Sequence, residues 1–309
     1  MNFQQLRIIR ETARRDFNLT EVANALYTSQ SGVSKHIRDL EDELGVHLFV
    51  RRGKRLLGLT EPGRELLPIV ERLLHDAANV KRLAEHFASR DQGTLVIATT
   101  HTQARYQLTE PVSRFIAQFP KVRLEIVESS PPTVAGMLLS GQADIGIATE
   151  SLQDEQDLAS FPYYRWRHAV VVPHGHPLLE LTGPTLHDLV RHPIITYHEA
   201  FAGRRRVNEA FRQAGLVPNV ILSAVDSDVI KRYVELGLGI GIVSPICLDP
   251  QRDTGLAMLP GAPLFPENTT VLAVRRGHYL RDFGYRFIGI CAPQLDIDKL
   301  RAAIMSSPG

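Results

Sequence analysis

Seven apolar residues constrain this chain more than any other feature. Leu66, Val70, Leu73, Ala77, Val80, Ala84 and Phe87 alternate spacings of four and three without a miss. That alternation is the heptad period, and residues so spaced share one stripe of an α-helix suited to lying along a second helix. The alternative is one long helix covering its own domain, as amphipathic helices commonly do. Either way the spacing predicts a long helix over 61–90. Pro68 lies inside it and predicts a bend or a delayed regular start, because proline removes a donor and crowds the preceding turn. Such a helix divides a chain of 309 residues that is too long for one ordinary core.

Residues 1–60 read as short helices followed by a hairpin. Phe3, Leu6, Ile9 and Ala13 fall at helical spacing. Val22, Ala25 and Leu26 mark a second short helix with Thr20 as its N-cap. After "TSQ", the segment "SGVSKHIRDLEDELG" places Val33, Ile37, Leu40 and Leu44 on one face, with Gly45 ending the helix. "LFVRRGKRLLGL" then reads as two short strands around a turn at Arg52 and Gly53.

From Gly93 onward the texture is α/β, with strand-like runs such as "TLVIATT", "VRLEIVE" and "ADIGIAT" alternating with helical ones. Short loops between them predict two mainly parallel, Rossmann-like subdomains. The first covers 93–164 and 268–300, the second 165–267, with crossovers near Tyr164 and Asn268. A ligand is expected in the crevice at the strand C-terminal ends.

Two helices joined by a three-residue turn form the helix-turn-helix pattern, whose second helix enters the DNA major groove N-terminus first. In that frame Thr28, Ser29, Gln30, Ser31, Ser34, Lys35 and Arg38 point away from the apolar face. Gln suits adenine, and Arg or Lys suits guanine or phosphate. Arg51, Arg52, Lys54 and Arg55 make the hairpin a basic wing. The whole chain carries a net charge of only +1, so the DNA reading rests on where these charges sit. The alternative is a small structural scaffold.

Other classes find little support. The two cysteines, Cys247 and Cys291, lie far apart without a C-x-x-C partner, which argues against a disulfide framework or cysteine zinc site and for a reducing, cytoplasmic setting. The amphipathic, charged "MNFQQLRIIRETARR" does not read as a signal peptide, which disfavours an exported solute-binding protein. No apolar run of about 18 residues predicts a membrane span. For catalysis, His101 offers a candidate base, but no G-x-S-x-G, H-E-x-x-H, P-loop or G-x-G-x-x-G is present. The histidines of "HGHP" lack acidic or cysteine neighbours for a metal. No catalytic residue, metal or cofactor is expected.

"IATTHTQARY", residues 97–106, carries a different chemistry. A strand ending near Thr99 and a helix starting near Ala104 gather hydroxyls and free backbone N–H groups around one point. Helix N-termini favour anions, Thr100 and Thr102 add hydroxyl donors, and Gln103 adds an amide. A threonine that merely caps the helix is the alternative for any one of them. Thr149 ends another strand at the same crevice. Neutral donors suit a proton-free anion such as sulfate, whereas phosphate would also need an acceptor, which an inward-facing Glu150 could supply.

"LTEVANALYTSQSGVSKHIRDLEDELGVHLFVRRGKRLLGLTEPG" resembles the N-terminal domain of LysR-type transcriptional regulators, and the likeness extends along the chain. It implies an N-terminal, helical winged helix-turn-helix (1–60), a linker helix for dimerisation (61–90) and a two-part sensor of periplasmic-binding-protein type. It also implies promoter DNA as partner, a tetramer built as a dimer of dimers, and contact with RNA polymerase. "IATTHTQARY", "IGIATE", "VVVPHGHPL" and "DSDVIKRYVELGLGIGIV" look like the CysB branch, which controls sulfur assimilation and sulfonate use. In that branch the resemblance implies sulfate, adenosine 5′-phosphosulfate or O- or N-acetylserine as effector, with Thr100, Thr102, Gln103 and Thr149 lining the site. Two departures stand out. This chain reads "AFAGR" where relatives read "GFTGR", so Ala202 replaces a ligand-facing threonine, and "RYQLTEPVSRF" departs from "RYALP".

Overall fold

Asn2 begins the first helix by accepting the Gln5 backbone N–H at 3.0 Å while Gln5 returns a bond to the Asn2 N–H, a reciprocal capping box. In the computed structural model this helix, α1, spans Phe3–Arg14. The structure describes residues 1–53, 55–88, 91–199, 201–261 and 263–306, with 86, 88, 150 and 202 described for their backbone. Residues Met1–Ala84 and Glu85–Gly309 form two compact units.

In the first unit α1 is followed by α2 (Leu19–Ala25), α3 (Gln30–Leu44), strands β1 (Phe49–Arg52) and β2 (Arg55–Leu59), and the start of α4 (Glu61–Ala88). The core gathers Ile8, Ile9, Val22, Val33, Ile37, Leu40, Leu48 and Phe49. Three expectations shift. Asn18, not Thr20, caps α2. Phe3 is exposed, because α1 buries the face made by Leu6, Ile8, Ile9 and Thr12. Leu44 is partly exposed at the end of α3, where Gly45 takes the left-handed conformation at φ 70°.

Helix α4 runs unbroken through Pro68. The carbonyl that loses its partner belongs to exposed Arg64, where water can replace the missing N–H. The heptad stripe does not stay together. Val70 and, one residue off the stripe, Leu74 are buried against Leu6, with Leu66 beside them. Leu73, Val80 and Phe87 remain exposed, as do Ile69 and Leu83.

The second unit contains two five-stranded sheets, ordered β4-β3-β5-β12-β6 and β11-β7-β10-β8-β9. The first is built from β3 (Gly93–Thr99), β4 (Val122–Glu128), β5 (Ile145–Ala148), β6 (Leu158–Arg167) and β12 (Glu267–Arg275). Helices α5 (Thr109–Gln118), α6 (Pro131–Leu139), α10 (Asp282–Cys291) and α11 (Ile297–Met305) accompany it. The second comprises β7 (Ala169–Pro173), β8 (Ile194–Tyr197), β9 (Val220–Ala224), β10 (Ile240–Val243) and β11 (Leu256–Met258), with α7 (Leu186–Leu189), α8 (Ala202–Gln213) and α9 (Ser227–Glu235). Strands β3, β4 and β5 are mutually parallel, as are β8, β9 and β10, while β12 and β7 run antiparallel to their neighbours. Continuous apolar strands such as "IGIA" and "IITY" are buried along their whole length, as expected for strands covered on both faces.

The chain crosses between these lobes later than Tyr164 and before Asn268. Strands β6 and β12 stay paired from Leu158–Arg275 to Arg167–Glu267, so His168 and the segment 259–266 make the crossings. His168 is buried among Trp166, Tyr197 and Phe265. Burial, with the charge of Arg206, pushes its imidazole down to about 3. It is neutral at physiological pH.

Candidate functional site

In the first unit, Ser29 caps α3 by accepting the Gly32 N–H at 3.1 Å and sits 3.1 Å from the Ser31 hydroxyl. Ser29, Gln30, Ser31, Lys35 and Arg38 are exposed along one side, with Thr28 and Ser34 half-buried beside them. That row is the polar face of a helix whose other face is core, so it can read a groove N-terminus first. Tyr27, in the turn before α3, is 98% exposed and left-handed at φ 51°. Its place next to the polar row marks it as a further surface group; the apolar-period reading passed over it because its signal is exposure.

The wing differs from expectation at one residue. Arg51 bonds Glu41 at 2.7 Å, and the buried Glu41 carboxylate also accepts the N–H groups of Leu48 at 2.8 Å and Phe49 at 3.2 Å. Arg51 therefore ties the hairpin to α3 and is not free for phosphate, whereas Arg52 and Arg55 are exposed. Lys54 lies outside the described residues.

In the second unit the residues picked from "IATTHTQARY" separate by role. The Thr99 hydroxyl donates to the Ile147 carbonyl at 2.8 Å, binding β3 to β5. Thr100, His101, Thr102, Gln103 and Thr149 line one cavity together with Pro131, Trp166, Tyr197, Phe201, Gly203, Val225 and Ser244. The helical turn begins at His101, earlier than Ala104, and passes into a single π turn over Gln103–Gln107 closed by Leu108 N–H to Gln103 O at 3.0 Å. Tyr164 donates to Gln103 Oε1 at 2.8 Å, which engages the amide oxygen and leaves the amide NH₂ as the group to offer a ligand. The backbone at Ala202 begins α8 at this cavity; its side chain lies outside what is described.

Three helix N-termini meet here: the turn from His101, α6 at Pro131, and α8 at Ala202 and Gly203. The turn from His101 and α8 present first-turn N–H groups, while α6 opens on Pro131 and Pro132, which carry none, and contributes its positive dipole end. Among the described side chains no carboxylate, lysine or arginine lines the cavity; the side chain of Glu150, the candidate acceptor, lies outside what is described. The cavity measures about 40 Å³, on the scale where one water needs ~10–15 Å³. A small oxyanion held by neutral donors fits that volume and that polarity.

Beside the cavity, side chains tie one lobe to the other. The Thr102 and Ser227 hydroxyls are 3.1 Å apart, and Arg105 Nε is 2.7 Å from Asp228 Oδ2. The Tyr106 hydroxyl donates to Asp228, and Lys231 Nζ reaches it at 3.3 Å while lying 2.8 Å from Asp253 Oδ2. Burial and the bond to Asp228 push the Tyr106 phenol up to about 12. Burial alone would lower Lys231, but its bonds to Asp253 and Asp228 more than reverse this and hold it above the ordinary amine range. His101, Asp226 and Asp228 place one ligand atom each within 4.8 Å of one another. Arg105 and Lys231 already neutralise Asp228, and Asp226 caps α9 through the Asp228 N–H at 2.7 Å, so the cluster works as an ion-pair latch instead of a metal cradle.

The sequence pointed to Thr100, Thr102, Gln103 and Thr149 in the first lobe and, through the resemblance, to the "AFAGR" segment around Ala202 in the second, whose neighbours Phe201 and Gly203 line the cavity. Trp166, Tyr197 and Ser244 come from distant segments and carry no local motif.

Comparison with known proteins matches both parts of the chain. Residues 3–64 match the family described as bacterial regulatory helix-turn-helix protein, lysR family, and residues 88–296 match the LysR substrate binding domain. The regulator SsuR of Burkholderia cenocepacia is 55% identical over 296 residues, covering 96% of each chain. The regulator cbl of Escherichia coli (strain K12) is 51% identical over 307 residues, covering 99% of this chain and 97% of its own. The crystal structure of the cofactor-binding domain of the Cbl transcriptional regulator superposes with a TM-score of 0.67 at 43% identity, over 70% of this chain and 95% of that one. These relatives are regulators and not enzymes, and no described helix is long and apolar enough to cross a membrane. With a helix-turn-helix unit before a two-lobed sensor, this chain belongs to the LysR family of DNA-binding transcriptional regulators.

Proposed function

We propose that this regulator controls sulfur-assimilation or sulfonate-utilisation genes in response to a small sulfur-linked oxyanion held between the lobes of its sensor. The observation that carries the reading is the cavity where helix N-termini, Thr100, Thr102, Gln103 and Thr149 converge without a lining carboxylate among the described side chains. Hydrogen phosphate brings a proton that needs an acceptor; sulfate brings none. The volume of about 40 Å³ favours sulfate itself. Adenosine 5′-phosphosulfate or an acetylserine would require the lobes to part. Similarity to SsuR and cbl supports the sulfur assignment.

The anion acts by biasing lobe closure, and it does so only to the extent that its affinity differs between open and closed states. Promoter DNA is read by the row from Thr28 to Arg38 with Arg52, through a homo-oligomer assembled along the exposed stripe of α4 as a dimer of dimers, and the bound complex engages RNA polymerase. Parallel thermal-shift titrations with sulfate, thiosulfate, adenosine 5′-phosphosulfate and O-acetylserine test the reading. One of the four should raise the sensor's Tm and alter promoter binding, and silence from all four refutes it.

A further inference from the structure

We infer that Ser244 is an effector-contact residue, the second lobe's counterpart of Thr149, and that its hydroxyl donates to an oxygen of the anion from the side opposite Thr100 and Thr149. This rests on the proposed oxyanion site and adds to it a contact that makes binding and closure one event.

The two lobes repeat a local structure. Strand β5 and the residue after it read Ile145-Gly146-Ile147-Ala148-Thr149; β10 and its successor read Ile240-Gly241-Ile242-Val243-Ser244. Each strand lies between a parallel neighbour and an antiparallel one, β3 and β12 for β5, β8 and β7 for β10. In each lobe a threonine on the parallel neighbour bonds the carbonyl of the second isoleucine. Thr99 reaches Ile147 O at 2.8 Å, and Thr196 reaches Ile242 O at 2.9 Å. The register is also the same, Thr99 opposite Ile147 and Thr196 opposite Ile242. Thr149 and Ser244 thus occupy equivalent positions, one residue past the C-terminal end of equivalent strands, where α/β sheets place ligands. Both line the same cavity.

The surroundings of Ser244 leave its hydroxyl for something else. The Ser244 backbone N–H donates to the Tyr197 hydroxyl at 3.1 Å; that hydroxyl is 2.9 Å from Ser227 Oγ, which is 3.1 Å from Thr102 Oγ1. This chain holds Ser244 in place and runs across to the first lobe without using the Ser244 side chain. The Ser244 hydroxyl is 2% exposed as part of its residue and has no hydrogen-bond partner among the described residues. A buried hydroxyl without a partner is a penalty to the fold, and one placed at a cavity wall is relieved by a ligand oxygen. Gly203, at the N-terminus of α8, lines the same wall, so the second lobe offers a hydroxyl and helix-end amides together.

Calorimetric titration of sodium sulfate into the full chain, as wild type and as Ser244→Ala, tests this, alongside urea unfolding of both without sulfate. The inference predicts that Ser244→Ala weakens sulfate by roughly ten- to hundred-fold, the loss expected for a hydrogen bond to a charged group. Stability without sulfate should be unchanged or higher, because an unpaired hydroxyl has been removed. A structural role for the hydroxyl would instead lower stability without changing sulfate affinity, and that result overturns the inference. Equal sulfate affinity in the two proteins overturns it while leaving the oxyanion reading intact. No sulfate binding by wild type overturns both.

Discussion

Replacing Gly203 with alanine should destabilise the sensor, although the same change usually strengthens a helix. A Cβ on Gly203 would stand 2.7 Å from His168 Nε2, 3.0 Å from its Cε1 and 3.6 Å from Trp166 Cη2. The imidazole has little room to retreat, since its ring centre lies 4.8 Å from that of Trp166, 5.9 Å from Phe265 and 6.3 Å from Tyr197. Overpacking of this kind costs about 1–3 kcal/mol, against a helix-propensity gain of at most about 1 kcal/mol. Subtracting that gain in full leaves a net loss of about 0–2 kcal/mol. Gly136, exposed within α6, is the control: its Cβ would meet nothing within 4 Å. Gly136→Ala should gain about 0.5–1 kcal/mol. Urea unfolding can be followed by the fluorescence of Trp166, the chain's one tryptophan, which lies in the cavity wall. A Gly203→Ala protein that gains stability as Gly136→Ala does would refute the packing described at the lobe crossing.

Three further outcomes follow from the geometry. His168, held at about 3 against an ordinary value near ~6.5, cannot take up a proton that the unfolded chain accepts. Its contribution is therefore complete above about pH 6.5 and falls by about 1.4 kcal/mol per unit as pH drops toward 3; wild type should lose more stability over pH 6 to 4 than His168→Gln. In the wing, Arg52→Ala should weaken promoter binding and flatten its salt dependence, whereas Arg51→Ala should chiefly lower the first unit's stability, because Glu41 loses its charged partner. Identical binding and stability losses in the two variants would contradict the separation of roles. Along α4, Leu73→Glu should reduce oligomer mass in light scattering with the fold retained, and Leu74→Glu should instead unfold the packing on Leu6; unchanged mass in Leu73→Glu would return α4 to a helix that covers its own domain.

Residues whose partners lie within a few positions were the ones legible in sequence. Gly45 ended α3 where its left-handed conformation was needed, and the four–three spacing announced α4. Spacing alone could not say which side of α4 would meet α1; Leu74 takes that place beside Val70, leaving Leu73 outside. Pro68 predicts a bend or a delayed start, yet an exposed first-turn carbonyl can be satisfied by water and the helix runs on unbroken. Arg51 looked like its neighbour Arg52 until a buried Glu41, ten residues earlier, claimed it. At the cavity, alternation along β3 sent Thr99 to a backbone carbonyl and left Thr100 at the ligand side. On the opposite wall only the "AFAGR" segment around Ala202 was legible; Trp166, Tyr197 and Ser244 reach the cavity only after the chain has crossed between lobes and back.

Whether this cavity holds an oxyanion through its neutral donors is measured most directly by calorimetry of sulfate against wild type and Thr100→Val. Valine keeps the shape of threonine and removes the donor, so affinity should fall by about ten-fold or more, the loss of one hydrogen bond to a charged group. Equal affinity in the two proteins, or no sulfate binding by wild type, would contradict the account.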